Sequence, residues 1–525
     1  MSQKMGILAI IGGGSVATSA LLQLDIELDR TGGAHTDQGL NQILIFEPRN
    51  SVGAGAAYER DTPSNLLNTR ASVMSPIYGQ PGHFLEWLHA NADSWRSLYP
   101  ELVIEAGVFL PRALFGIYLE SCYQASVASF ALKGVTVTHV REMVCSVKAV
   151  DAGYTVLAGS CEWAANAVLL AIGNHDCASW AALRDSPGYF ASPYPCRELT
   201  RRIRQHESVC ILGTSLSAVD AALALADAGH RGKVLMVSRN GRLPSVRANA
   251  VCNVTPQRLT RAAIAQIAAE CEGHIPLDRV FELLLAELAS ASSDTDFSID
   301  DILMSDDGPQ RYLDRELAAA MDGDRAWQKI IYEMNSSVDL IWHCLSAADK
   351  ARFDAEFKSR WLSYRVSFPS QNARRLQSLL HRDQVTVHKG FESVDIDPVS
   401  GKFLISVSDP ARAFFARFQI DHLVNAAGST SHVGRIEAPV VRDMLDSGLG
   451  VANAFGGFNL DFESSRLVDS TGSIQSNFYV AGSLASGTYF WTNAMEVNAR
   501  LTQGIAFRLV DQFSTKGAMC EPVTP

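Results

Sequence analysis

One pattern occurs twice in this chain: a run of buried-strand residues enters a small-residue turn and continues into a helix. In the first copy, Gly6-Ile7-Leu8-Ala9-Ile10-Ile11 leads into Gly12-Gly13-Gly14-Ser15-Val16-Ala17. A helical pattern follows through about Leu24, and a second strand, Ile43-Leu44-Ile45-Phe46, ends at Glu47. In the second copy, Val209-Cys210-Ile211-Leu212 leads into Gly213-Thr214-Ser215-Leu216-Ser217-Ala218. Val219 to Ala228 then reads as a helix, and Lys233 to Val237 as a strand ending at Ser238-Arg239. Strand, turn, helix, strand is the opening of a βαβ unit. Two such openings in 525 residues predict an α/β fold with two Rossmann-like dinucleotide-binding domains.

Each turn carries its own chemistry. Gly12 permits the tight turn, and Gly14 removes a side chain where the backbone approaches a pyrophosphate. Ser15 opens the helix, whose free N–H groups and partial positive charge suit phosphate, and Ala17 lets helix and strand pack closely. Glu47 is placed to accept hydrogen bonds from a ribose. In the second turn Gly213 keeps its place, but Ser215 stands where a second glycine is expected. The strand after it ends in Ser238 and Arg239, with Arg242 beyond, and no carboxylate. A carboxylate there repels a 2′-phosphate and an arginine attracts one, so this site is expected to take NADPH rather than NADH.

The rest of the chain fixes the expected class. Net charge is −11, which argues against a protein that coats nucleic acid. The ten cysteines form no C-x-x-C pair, which excludes a redox dithiol and a zinc knuckle and fits a reduced, cytoplasmic chain. No apolar run approaches the roughly 20 residues of a membrane span. The first apolar run enters glycines instead of a cleavage site, so it is not read as a signal peptide. No H-E-x-x-H or G-x-S-x-G motif is present, and no metal is expected. The chemistry is therefore expected to reside in a bound cofactor. Thr255 to Trp361 is mostly helical in pattern. Polar stretches at Arg30–Gly39 and Ser292–Pro309 read as loops. Strand patterns return at Gln384–Val387, Phe403–Val407 and His422–Asn425, and a last helix is expected from about Ala494 to Asp511.

A set of short blocks, in order along nearly the whole chain, resembles the FAD/NAD(P)-binding proteins of the urate-hydroxylase-like and amino-acid N-hydroxylase type. They are Gly53-Ala54-Gly55-Ala56-Ala57-Tyr58, Pro63 with Leu66-Leu67-Asn68, Met74-Ser75, Phe109-Leu110-Pro111-Arg112, Leu170-Ala171-Ile172-Gly173-Asn174, Trp361 with Arg365, and Asn425-Ala426-Ala427-Gly428. The resemblance implies a flavoprotein monooxygenase that uses FAD and NADPH, with a small-molecule substrate and molecular oxygen as partners, and no nucleic acid or membrane. A homo-oligomer is compatible with it. Two reactions fit, N-hydroxylation of an amino acid or amine and ring hydroxylation of urate, with the first slightly favoured. An NADPH-dependent flavin reductase that does not activate oxygen, and a dinucleotide-binding sensor, remain the other readings. Domains are expected at 1–200 (FAD, first part), 205–360 (NADPH, with the helical insertion) and 361–525 (FAD, returning part).

By the same resemblance, Met74 and Ser75 line the flavin, and Asn68 hydrogen-bonds the reduced flavin or a nicotinamide amide. Arg112 reaches cofactor phosphate, and Arg365 holds a substrate carboxylate. Gly173, Gly428 and Gly482 end strands at which a cofactor is expected. Asn68 as a turn former and Arg112 as a surface ion pair are the competing structural readings.

Overall fold

The computed structural model describes residues 6–31, 39–175, 178–250, 252, 254–291, 308–323, 325–410 and 413–515. Most of the two predicted polar loops lies outside the described residues. The chain divides into two compact units. The first comprises Met1–Glu59, Thr69–His175 and Thr430–Pro525; the second comprises Arg60–Asn68 and Asp176–Ser429.

The first unit is built on β1 (Gly6–Ile11), α1 (Ser15–Arg30), β2 (Leu40–Phe46) and β3 (Ala167–Leu170). β1 is apolar along its length because it is central in a parallel sheet covered on both faces. The six strands run in the order Arg466–Val468, Ile474–Val480, β3, β1, β2, Thr136–Val140, and only the first pair is antiparallel. On one face Ala17, Leu21 and Leu24 of α1 pack with Ile505, Ala506 and Leu509 of the C-terminal helix Met495–Thr515. The other face is covered by Val147 and Val156 of an antiparallel three-stranded sheet and by Val440, Val441 and Met444.

The second unit repeats the plan with β4 (Val209–Leu212), α2 (Leu216–Asp227), β5 (Val234–Ser238) and β6 (His422–Asn425). Its all-parallel sheet has the order Val385–Lys389, β5, β4, β6, Tyr189–Phe190. α2 and the helix Ser370–His381 cover one face through Val219, Ala222, Ala373 and Leu376. A second antiparallel sheet covers the other through Phe403, Ile405 and Val407. In both units, therefore, an antiparallel three-stranded sheet precedes a strand that returns beside the first: β3 pairs with β1 and β6 with β4. The described residues between Thr255 and Trp361 are mostly helical, as their pattern predicts, with helices such as Arg261–Glu270, Leu277–Ala291 and Pro309–Asp322.

The expected boundary at residue 361 is where the observed architecture departs from the sequence reading. Val385–Lys389 pairs with β5 and β6 pairs with β4, so the chain stays in the second unit until Thr430. The block Asn425–Gly428 accordingly closes the second sheet and not the first. An apolar strand pattern does not state which sheet it joins; only the hydrogen-bonded register does. Residues 176–200 also belong to the second unit, as does the short segment Arg60–Asn68.

Candidate dinucleotide sites

The first site lies at the carboxyl ends of β1, β2 and β3. Gly12 has φ +102°, and a Cβ there would stand 2.3 Å from the Ala171 carbonyl oxygen. Only glycine fits. Gly14 is different: it caps α1 at φ −88°, ψ −162°, and a Cβ there would meet nothing nearer than Gly55 Cα at 3.6 Å. The protein itself thus tolerates a side chain at Gly14. The start of α1 carries no side-chain cap and no acidic residue in its first turn, so its N–H groups keep their binding capacity and positive end. Gly53–Gly55 forms the facing wall. Gly53 donates its N–H to Gly13 O at 2.8 Å, and a Cβ on Gly55 would stand 3.0 Å from Gly14 Cα. This glycine-lined cradle over a helix N-terminus fits the pyrophosphate of a dinucleotide such as FAD.

Glu47 ends β2 only 3% exposed. It accepts from Gly13 N at 2.9 Å and from Arg49 N and Nε at 3.0 Å each. Burial works to raise its pKa, but the hydrogen bonds and charge of Arg49 with the Gly13 N–H outweigh it and hold the carboxyl below the usual range. A depressed folded pKa contributes stability that is full above about pH 5 and lost as pH falls through the acid range below about pH 4. Glu47→Gln should therefore lower stability near neutrality by about 1 kcal/mol and flatten the acid limb of a thermal-melt pH profile. An unchanged acid limb would remove Glu47 from this role.

The strand ends beside β1 complete the edge. Ala171 N donates to Ile11 O at 2.8 Å and Ala481 N to Leu170 O at 3.1 Å, so three parallel strands finish in register. Gly173 (φ +78°) and Gly482 (φ +81°) follow, and the Ser483 hydroxyl donates to the Gly173 carbonyl. Gly12, Gly14, Ser15, Ala17, Glu47, Gly173 and Gly482 thus fall at one sheet edge, as expected of a single site. The other candidates divide. Met74 is buried after the turn Ala71–Val73, while the Ser75 hydroxyl accepts from Ile77 N at 3.1 Å in the turn that follows. Arg112 opens the helix Arg112–Leu132, and its charge acts on the buried Tyr58 hydroxyl. Asn68 is exposed and ends the short segment that belongs to the second unit.

The second site copies the first in backbone. Gly213 has φ +125°, and its Cβ would stand 2.3 Å from Ala426 O, the counterpart of Ala171. Ser215 caps α2 at φ −94°, ψ −164°, within a few degrees of Gly14. Its side chain is exposed and makes no cap bond. Ser215→Gly should tighten NADPH by no more than about tenfold, because only one small side chain leaves the cradle; weaker binding on titration would contradict this placement. Gly428 (φ +96°) follows β6 as Gly173 follows β3. Ser238 is spent on the turn: its hydroxyl accepts from Gly241 N at 2.9 Å and bonds Thr214 Oγ1 at 3.0 Å. Arg239 is exposed, and among the described residues no acceptor or carboxylate pairs with its guanidinium. Arg242 is half-buried beside Tyr364, and its charge works against the burial that raises the Tyr364 hydroxyl pKa.

Arg365 was placed by sequence as a substrate ligand. It is 6% exposed at the end of the helix Lys358–Arg365, where Nη2 donates to Asn335 Oδ1 at 2.5 Å. Two further arginines lie outside the motifs: Arg49, which holds Glu47, and Arg247. An arginine two residues after a strand-ending glutamate was a signal for the first; nothing in the sequence marked the second.

Comparisons with known proteins agree with this geometry. Residues 9–175 match a family model described as FAD-NAD(P)-binding. An uncharacterised protein of Escherichia coli strain K12, YdhS, is 25% identical over 457 residues, covering 77% of this chain and 81% of its own. Among solved structures, the reduced ornithine hydroxylase of Pseudomonas aeruginosa superposes with a TM-score of 0.56 at 11% identity, covering 97% of this chain and 99% of that one. L-lysine 6-monooxygenase of Pseudomonas syringae gives a TM-score of 0.56 at 13% identity over 96% of this chain and 99% of its own. The ornithine N-hydroxylase of Kutzneria sp. 744 gives 0.54 at 13% identity, covering 97% and 99%. Residues 9–175 are thus similar to an FAD-NAD(P)-binding family, and the chain shares its fold with these ornithine and lysine hydroxylating enzymes.

Proposed function

We propose that this chain is an FAD-dependent, NADPH-using monooxygenase that hydroxylates a small polar substrate. N-hydroxylation of an amino acid or amine is the preferred reaction, and urate-type ring hydroxylation comes second. The observation that carries the reading is the paired cradle: two sheet edges with the same turn geometry, one ending in a carboxylate and the other in an arginine that no carboxylate pairs among the described residues. In this reading the first site holds FAD, with the α1 N-terminus and Gly12–Gly14 on the pyrophosphate and Glu47 on a ribose. The second takes NADPH, with Arg239 on the 2′-phosphate. FAD, when bound, supplies the electron transfer and the oxygen activation; the chain positions and shields the reactants. Overall, amine, oxygen, NADPH and a proton give hydroxylamine, NADP⁺ and water. The fold shared with ornithine and lysine hydroxylases supports an amine as the substrate.

The test is product analysis under ¹⁸O-labelled oxygen with NADPH and a panel of amino acids, diamines and purines. One panel member should accelerate NADPH consumption and carry one ¹⁸O atom. If NADPH is oxidised with all oxygen recovered as hydrogen peroxide for every member, the monooxygenase reading fails.

A further inference from the structure

Arg247 is a cation of the second unit with a buried, unpartnered guanidinium nitrogen among the described residues. It follows the short strand Ser245–Val246, and its backbone N–H donates to Phe368 O at 2.9 Å. The backbone around it is pinned. Gln328 Nε2 donates to Val246 O (2.7 Å) and Ser245 Oγ (2.9 Å), and Gln328 Oε1 accepts from Ala248 N (3.0 Å). Arg325 Nη1 adds a bond to Val246 O at 2.9 Å. Such fixing presents the side chain in one place, which a binding site requires.

The guanidinium itself has no such support. Its central carbon lies 3.5 Å from the Tyr332 ring centroid, and that of Arg365 lies 4.3 Å from the same centroid. The two cations therefore stand within about 8 Å of each other and repel. Arg247 Nη1 is buried and has no hydrogen-bond partner among the described residues. Burial pulls its pKa down, and the Tyr332 hydroxyl alone opposes that. The carboxylate that anchors this segment, Glu316, is already taken by Arg325 at 2.8 and 2.9 Å and by Val246 N at 3.2 Å. A cation–π contact offsets only part of the cost of burying a charge. The Tyr332 hydroxyl, bonded to Ser367 Oγ at 2.7 Å, adds a polar group beside the pair.

We propose that Arg247 and Arg365, stacked on Tyr332, form an oxyanion site that binds the carboxylate of the substrate. Calling the ligand a substrate rests on the monooxygenase reading; the anion site does not. A carboxylate supplies the missing acceptor to Arg247 Nη1 and offsets both charges, and the planar fork suits it. The substrate is then an amino acid or another carboxylate-bearing amine, not a simple diamine. A phosphate group has the same chemistry and is separated in the test.

The experiment is thermal unfolding of the purified holoprotein in sodium acetate, sodium phosphate or sodium chloride at equal ionic strength. Acetate should raise the wild-type Tm saturably over chloride by roughly 2–4 °C. Arg247→Met should abolish that rise, and without acetate should melt no lower than wild type, because it removes an uncompensated charge. Arg247→Lys keeps the charge without the fork and should need several-fold more acetate, which serves should the Met variant not fold. An equal acetate rise in wild type and Arg247→Met, or no rise in wild type, overturns the site. A rise with phosphate alone overturns the carboxylate assignment. No step uses oxygen or NADPH, so failure of the monooxygenase reading leaves this result legible, and the reverse.

Discussion

Gly14→Ala should yield a folded protein that has lost FAD, while Gly12→Ala should yield a protein damaged in its fold. The two glycines are two residues apart in one turn, yet the structure asks different things of them. At Gly12 an added methyl meets the Ala171 carbonyl at 2.3 Å with φ at +102°. Left-handed strain and overpacking together cost about 3 kcal/mol, a fall in Tm of roughly 6–12 °C for a unit of this size. At Gly14 the nearest atom is 3.6 Å away and φ is −88°, so the fold has no objection. What a methyl obstructs there is the approach of a pyrophosphate. FAD affinity should fall at least tenfold, or about 1.4 kcal/mol, with the apoprotein Tm unchanged. Flavin content of the purified variants and the apoprotein melts decide the matter. A Gly14→Ala protein that keeps FAD at wild-type affinity would show that the turn is structural and not a cofactor cradle.

Arg239→Ala should weaken NADPH by about 1.5–3 kcal/mol, the range for a hydrogen bond to a charged group, and leave NADH nearly unchanged. This corresponds to roughly 10- to 150-fold in Kd. The expectation comes from position and from absence of competition: Arg239 follows β5, is exposed, and has no carboxylate pairing with it among the described residues. Arg242 is the control. It is half-buried beside Tyr364, whose hydroxyl feels its charge, so Arg242→Ala should change NADPH binding less than Arg239→Ala does. Titration of each variant with both nucleotides is the measurement. Equal losses for NADPH and NADH in Arg239→Ala would place the arginine on something other than the 2′-phosphate.

Both cradles were legible in sequence because their demands are local. An apolar run such as Val209–Leu212 followed by Gly213 states a buried parallel strand and a turn that needs positive φ, and Glu47 or Arg239 at the next strand end states the charge. The path of the chain between the units was not legible. The strand patterns at Gln384–Val387 and His422–Asn425 are legible, but their partners are 151 and 213 residues away and are chosen by sheet register, which no local pattern encodes. Ser75 and Ser238, expected as cofactor contacts, also accept backbone N–H bonds in their own turns, which no sequence pattern announces. Arg365 was singled out, but its neighbour Arg247 was not. A single arginine after a short strand reads as a surface charge until the fold buries its Nη1 over Tyr332.

With FAD on the first site and NADPH on the second, the nucleotide should reduce the bound flavin. Anaerobic mixing of the purified holoprotein with NADPH, and separately with NADH, while following the visible flavin band tests it most directly. The protein should be yellow and be bleached by NADPH in a saturable, single-turnover reaction, with NADH requiring at least tenfold more nucleotide for the same rate. A bound flavin that stays oxidised with either nucleotide would contradict it.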